Sequence, residues 1–131
     1  DLNRKLTGDI SRWLPMLNWA IVKFISAAEK QGLKTLLDEA QALYKNWQHQ
    51  ITEAQEEKIW ASLPKSFGPQ KIRLIKFSQI RSEPPEFDVV LGSRLPAPAA
   101  IKYIISKIIR RQLPILKHTP LRVAVRAKSV L

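Results

Sequence analysis

KIRLIKFSQIRSEPPEFDVVLG, residues 71–92, is the stretch that decides the fold of this chain. Its first ten residues form an extended, β-prone run. Arg81-Ser82-Glu83-Pro84-Pro85 has the chemistry of a turn, and Phe87-Asp88-Val89-Val90-Leu91 is a second β-prone run ended by Gly92. Two such runs joined by a short, proline-bearing turn predict an antiparallel hairpin.

The flanks say what covers the hairpin. After Pro96 and Pro98 the pattern predicts a long helix over residues 99–112, with Ile101, Ile104, Ile105, Ile108 and Ile109 on one side. Lys102, Lys107, Arg110 and Arg111 occupy the rest of its circumference. Spacings of three and four residues put the isoleucines on one face, and that face is needed against the hairpin. Residues 120–126, PLRVAVR, alternate with period two and predict a half-buried strand, with Leu121, Val123 and Val125 inward and Arg122 and Arg126 outward. Upstream, Thr52 and Gln55 have capping-box spacing, and Glu53, Glu56 and Glu57 suit the positive end of a helix dipole. That helix buries Ile59, Trp60 and Leu63, and the proline-flanked residues 64–69 should break it. The order from residue 52 is helix, strand, strand, helix, strand. This αββαβ order makes a three-stranded sheet with two helices on one face, an α+β domain spanning residues 51–131.

Residues 1–50 read differently. WAIVKFI, residues 19–25, is short, apolar and β-branched and predicts a buried strand. A loop follows. Leu33, Leu36, Leu37, Ala40, Leu43, Tyr44 and Trp47 then form one helical stripe. Strand, loop and helix together look like the last βα unit of an α/β domain. Before them, Asp9 is a candidate cap for a short helix that Pro15 sits inside or interrupts.

The composition bounds the function. The 131 residues leave room for one domain, or a small domain plus part of another; 45% are hydrophobic and 25% charged, which argues against disorder. No apolar run approaches 18 residues. The first residue is not methionine, so a segment of a longer or processed protein is expected. The chain has no cysteine, which excludes disulfide scaffolds, thiolate metal sites and thiol catalysis. Two histidines far apart, His49 and His118, make a histidine metal site or triad improbable. Charge is the strongest signal. Residues 1–70 hold nine basic and eight acidic side chains, a net of +1. Residues 71–131 hold thirteen basic and three acidic, a net of +10 out of the chain's +11. A half with so few compensating acids attracts polyanions.

Two features then point the same way. Phe24-Ile25-Ser26-Ala27, followed by Gly32-Leu33 and an amphipathic helix, resembles the last guanine-recognition motif of a GTPase domain. Behind it come Lys71-Ile72-Arg73 opening a strand, Gln79 near its end, Pro84-Pro85-Glu86-Phe87 and His118-Thr119-Pro120-Leu121-Arg122-Val123. These resemble the C-terminal KH-like domain of the tandem-GTPase ribosome assembly factors called Der or EngA. The resemblance runs from about Phe24 to Arg126. It implies a parent protein with two GTPase domains that uses GTP and magnesium and works in maturation of the large ribosomal subunit. It implies partners as well: ribosomal RNA, the large-subunit precursor and other assembly factors, and no membrane. It places Ser26 and Ala27 near a guanine base. Divergent positions together with high basicity suggest a mitochondrial member, with a bacterial cytoplasmic one as the alternative.

The departures from the family pattern are specific. The sequence has no G-x-x-x-x-G-K-[ST] phosphate loop and no Asn-Lys-x-Asp motif, so this chain alone should neither hold GTP tightly nor hydrolyse it. No cofactor, metal or catalytic residue is expected within it. The family's basic loop before the first KH-like strand has only one lysine here, Lys65, and the last strand opens with His118 in place of glycine. There is also no Gly-x-x-Gly loop, so backbone and shape recognition of structured RNA is expected rather than base-specific clamping.

The expected RNA contacts are Lys71, Arg73, Lys76, Arg81, Lys102, Lys107, Arg110, Arg111, Lys117, His118, Arg122, Arg126 and Lys128. Trp13, Trp19, Trp47, Trp60, Phe77 and Phe87 are assigned to the core, with Tyr103 the candidate for base stacking. The alternatives are a stably bound organellar ribosomal protein or a generic structured-RNA module without a GTPase. A peripheral membrane or partner-helix binder using the isoleucine-rich basic helix is the third.

Overall fold

The computed structural model describes residues 2–67, 72–92 and 98–128. The chain folds as α+β; the described residues form four helices, α1 (Leu2–Trp13), α2 (Leu33–Trp47), α3 (Glu53–Ser66) and α4 (Pro98–Gln112), and three strands. The strands are β1 (Leu74–Arg81), β2 (Glu86–Leu91) and β3 (Arg122–Ala127), in the sheet order β1-β2-β3. β1 and β2 form the expected antiparallel hairpin. β3 runs parallel to β2, with Phe87 opposite Val123 and Val89 opposite Val125. Parallel neighbours need a long crossover, and α4 is that crossover. The KH-like αββαβ order expected from residue 52 is therefore present.

The core lies between the sheet and the pair α3/α4. Ile59 and Leu63 from α3 and Ile105 and Ile109 from α4 are fully buried against Phe77, Phe87, Val89 and Leu91. Phe77 and Phe87 stack with ring centroids 5.4 Å apart, worth about 0.5–1.5 kcal/mol beyond the area they bury. Leu121, Val123 and Val125 pack on this cluster while Arg122 and Arg126 stay exposed, as the alternation predicted.

α3 starts where the capping box placed it. The Thr52 hydroxyl accepts from the Gln55 backbone N–H, and the Gln55 amide oxygen accepts from the Thr52 N–H at 2.9 Å. A second glutamine clasps the α2–α3 link to the sheet. Gln79 Oε1 accepts from the Ile51 N–H at 2.7 Å, and Gln79 Nε2 donates to the His49 carbonyl at 2.9 Å. The hairpin turn is tied to the end of α2, where the Glu83 N–H donates to the Trp47 carbonyl at 3.0 Å. Gln48 also donates to the Glu83 carboxylate at 2.8 Å.

Three expectations are corrected. Residues 19–25 are not a strand. Their composition suits one, but a strand needs a ladder partner, and among the described residues none runs beside them. The one backbone pairing nearby is a bridge between Ser26 and Gln31. Of the expected βα unit, only the helix is formed. Asp9 caps nothing: α1 begins at Leu2, and Asp9 lies within it, paired to Arg12 at 3.0 Å. Pro15 instead opens the 3₁₀ turn Pro15–Leu17 just past the end of α1. Pro64 does not break α3, which continues to Ser66. In the last turn a proline forfeits a single intrahelical bond, and the Ser66 hydroxyl donates to the Ser62 carbonyl at 2.9 Å in the same turn.

Candidate nucleic-acid interface

The sequence of α4 sorts its side chains onto two faces. Ile101, Ile105, Ile108 and Ile109 go into the core. Tyr103, Lys107, Arg110 and Arg111, three and four residues apart, share the outer side. Pro114 follows the helix and opens the 3₁₀ turn Pro114–Leu116, which brings Lys117 round beside them. Asn18 and Trp19 form the opposite wall. The result is a cleft of about 460 Å³ lined by Asn18, Trp19, Tyr103, Lys107, Arg110, Arg111, Pro114 and Lys117. Four cations and two aromatics line it, and no acidic side chain does.

Trp19 is held in this position by two contacts. The guanidinium of Arg110 lies over its ring, 5.2 Å from the centroid, a cation–π arrangement worth about 0.5–2 kcal/mol. Arg110 also donates to the Thr119 carbonyl at 2.9 Å. His118 holds the Trp19 backbone: its Nδ1 lies 2.8 Å from the Trp19 carbonyl, and since a carbonyl can only accept, Nδ1 carries the proton. Burial lowers the pKa of Arg110 from its ordinary value, yet a guanidinium remains charged. Arg110 Nε and Thr119 Oγ1 are buried with no hydrogen-bond partner, the unfavourable side of this packing. Arg110 is therefore a wall of the cleft as much as a charge within it. Arg110 and Arg111 also occupy the last turn of α4, where cations suit the helix dipole.

The open face of the sheet carries the other basic residues, and there the charges are largely spoken for. Asp88 accepts from Arg126 at 2.9 Å and from Lys76 at 3.2 Å. Burial on its own would raise the Asp88 pKa. The hydrogen bonds and charges of Arg126 and Lys76 outweigh it, and the carboxyl sits below its usual range. Arg81 pairs with Glu86 at 3.3 Å. Arg122 and Lys128 are exposed on or beside β3, and Lys128 lines a hollow of about 400 Å³ with Lys76, Val90 and Arg126.

The expected RNA contacts thus fall into groups. Lys107, Arg110, Arg111 and Lys117 converge on the cleft, with His118 behind its wall. Lys76, Arg81, Arg122, Arg126 and Lys128 belong to the sheet side. Arg73 and Lys102 are exposed and join neither cluster, and Lys71 lies outside the described residues. Ser26 and Ala27 lie on a separate loop. The Ser26 hydroxyl accepts from the Glu29 N–H at 3.3 Å, and the turn is closed by Gly32 in the left-handed region, φ 77°. Any Cβ at Gly32 would lie 3.3 Å from the Ile25 side chain. Among the described residues, no group of His, Asp and Glu is placed to hold a metal ion, and no helix is long and apolar enough to cross a membrane.

Phe77, Phe87 and Trp60 belong to or pack against the core as expected. Trp13 does not: it is 79% exposed on the last turn of α1. Trp19 is half-buried at the cleft instead of in a strand. Tyr103, the expected exception, is 57% exposed. Sequence reasoning missed Asn18 and Trp19 as cleft residues. No spacing rule could have found them, since Trp19 meets His118 across 99 positions of sequence.

No family model matches the chain. Its sequence is similar to GTPase Der of Rickettsia canadensis (strain McKiel), 33% identical over 85 residues, covering 60% of this chain and 19% of that protein. It is also similar to GTPase Der of Pseudothermotoga lettingae, 20% identical over 118 residues, covering 88% of this chain and 27% of that protein. The chain is thus related in sequence to GTPase Der, and spans only 19% and 27% of the length of these two relatives.

Proposed function

We propose that this chain is the C-terminal part of a Der-type GTPase that assists large-subunit ribosome assembly, and that its KH-like domain binds ribosomal RNA. The observation that carries the reading is the α4 cleft: four cations and two aromatics with no acidic neighbour. Cations free of partners neutralise phosphates and release counterions, whereas paired ones must first break an ion pair. The similarity to GTPase Der supports the parentage. In this reading residues 1–50 complete a GTPase domain, and GTP and magnesium are held by residues of the parent protein outside this chain. The exposed apolar side chains of α1, of α2 and of the segment between them support that assignment.

The test is charge reversal at two exposed positions that do not hold the fold together, Lys107→Glu with Arg111→Glu. Affinity for structured ribosomal RNA should fall by at least about tenfold at physiological salt. The slope of log affinity against log salt should drop by about two, one for each lost phosphate contact. Unchanged affinity and slope in a folded variant would remove the cleft from the interface. In cells, crosslinking of the intact protein should recover large-subunit RNA on peptides of α4.

A further inference from the structure

We infer that the cleft between residues 18–19 and α4 receives one unpaired nucleotide of the bound RNA, with its base inside and its phosphates on the rim. The inference rests on the RNA-binding reading and deepens it.

The lining is wrong for a purely electrostatic phosphate site. Such a site needs donors and charge, and flat apolar surface adds nothing to it. Here the walls are an indole, a phenol ring and Pro114, while Lys107, Arg111 and Lys117 are all exposed, so their charged ends reach water. Apolar faces surrounded by cations are what a nucleotide presents in complement, a π-faced base joined to anionic phosphates. The size agrees. About 460 Å³ lies within the range of about 300–1,000 Å³ that encloses a small ligand, and it is far too small for a helix. A base inside a duplex is stacked on both sides and cannot enter, so the nucleotide must be unpaired or extruded.

Tyr103 is the stacking platform. It is the exposed aromatic of the cleft, whereas one face of Trp19 is already occupied by Arg110. Base identity is read weakly. Asn18 and the Tyr103 hydroxyl are the lining side chains able to accept as well as donate, so stacking dominates and tolerates any base.

The experiment uses the intact protein and three forms of one RNA hairpin: fully paired, with a single bulged 2-aminopurine, and with an abasic bulge. The bulged base should bind about tenfold more tightly than the abasic form, with its fluorescence quenched on binding. Tyr103→Ala should erase that difference and the quenching. Tyr103→Phe should retain both. Equal affinity for bulged and abasic forms, with the paired hairpin still bound, overturns the inference and leaves the RNA-binding reading standing. A difference that survives Tyr103→Ala also overturns it, since the base then sits elsewhere. Failure to bind any of the three overturns both.

Discussion

The two ends of this chain bury their apolar residues very differently. Every buried hydrophobic among the described residues lies between Ile59 and Leu116. Neither α1 nor α2 has a buried residue, and among the described residues eleven of the fourteen exposed large hydrophobics fall between Leu2 and Tyr44. Among the described residues, α1 packs on no other element than the 3₁₀ turn that follows it. Both regions have amphipathic helices, so amphipathicity alone does not make a core. α3 and α4 close on a sheet whose strands pair with one another. α2 meets the 3₁₀ turn Pro114–Leu116, and its stripe is only partly covered: Leu33, Leu36, Leu43 and Trp47 are half-buried while Leu37 and Tyr44 stay exposed. Large exposed apolar patches commonly mark interfaces. On the proposed reading, the rest of a GTPase domain covers this surface.

The widest test of this contrast pairs two leucine-sized positions. Ile105 is fully buried at the centre of α4, and Ile105→Ala should cost about 2–5 kcal/mol of unfolding free energy, read as a lower denaturant midpoint. Leu37 is 65% exposed on α2, and Leu37→Ala in this chain should stay within about 0.5 kcal/mol. In the intact parent protein the second value should rise, because the covered surface would then lose a contact. If Leu37→Ala remains neutral there, α2 is not an interface.

A smaller test acts at the seam. Thr52 caps α3 where the chain passes from the exposed region into the core, and Thr52→Ala removes one half of the capping box. The expected loss is about 1 kcal/mol, with Thr52→Ser recovering most of it. Calorimetry on the three forms would order them. A loss well above that figure would mean the capped turn also anchors the link that Gln79 holds at residues 49–51.

What the sequence disclosed follows the range of the forces involved. The hairpin, the capping box and the isoleucine face of α4 depend on neighbours within a few residues, and all three stand as read. The α2 stripe was equally plain as a helix. Its burial was not, because covering a face depends on what lies opposite. The same limit explains residues 19–25: β-branched composition favours extension, but a strand also needs a partner that composition cannot name. In the basic half, the net charge was legible and its partition was not. Lys76, Arg126 and Asp88 meet only because β2 pairs with β1 on one side and β3 on the other. Trp19 reaches the cleft for a similar reason, held by residues far along the chain.

That partition leads to the finest test, at Asp88. Its folded-state pKa lies below the ordinary carboxylate value, so the stabilisation from Arg126 and Lys76 is fully present above about pH 4. It is lost as pH falls through the lower, folded value. Asp88→Asn should therefore lower stability at neutral pH, flatten the acid limb of the profile, and converge with the unsubstituted chain at low pH, where Asp88 is protonated. The loss should be below about 1 kcal/mol, because the Lys76 and Arg126 side chains are 53% and 65% exposed and screened by water. The same variant separates the two basic faces. It frees two cations on the open face of the sheet without touching the α4 cleft. If the cleft carries RNA binding, affinity should rise less than about threefold, through the general field of one extra positive charge. A rise of tenfold or more, with a salt slope steeper by about two, would shift the interface to the sheet, where Asp88 would be holding Lys76 and Arg126 away from phosphate.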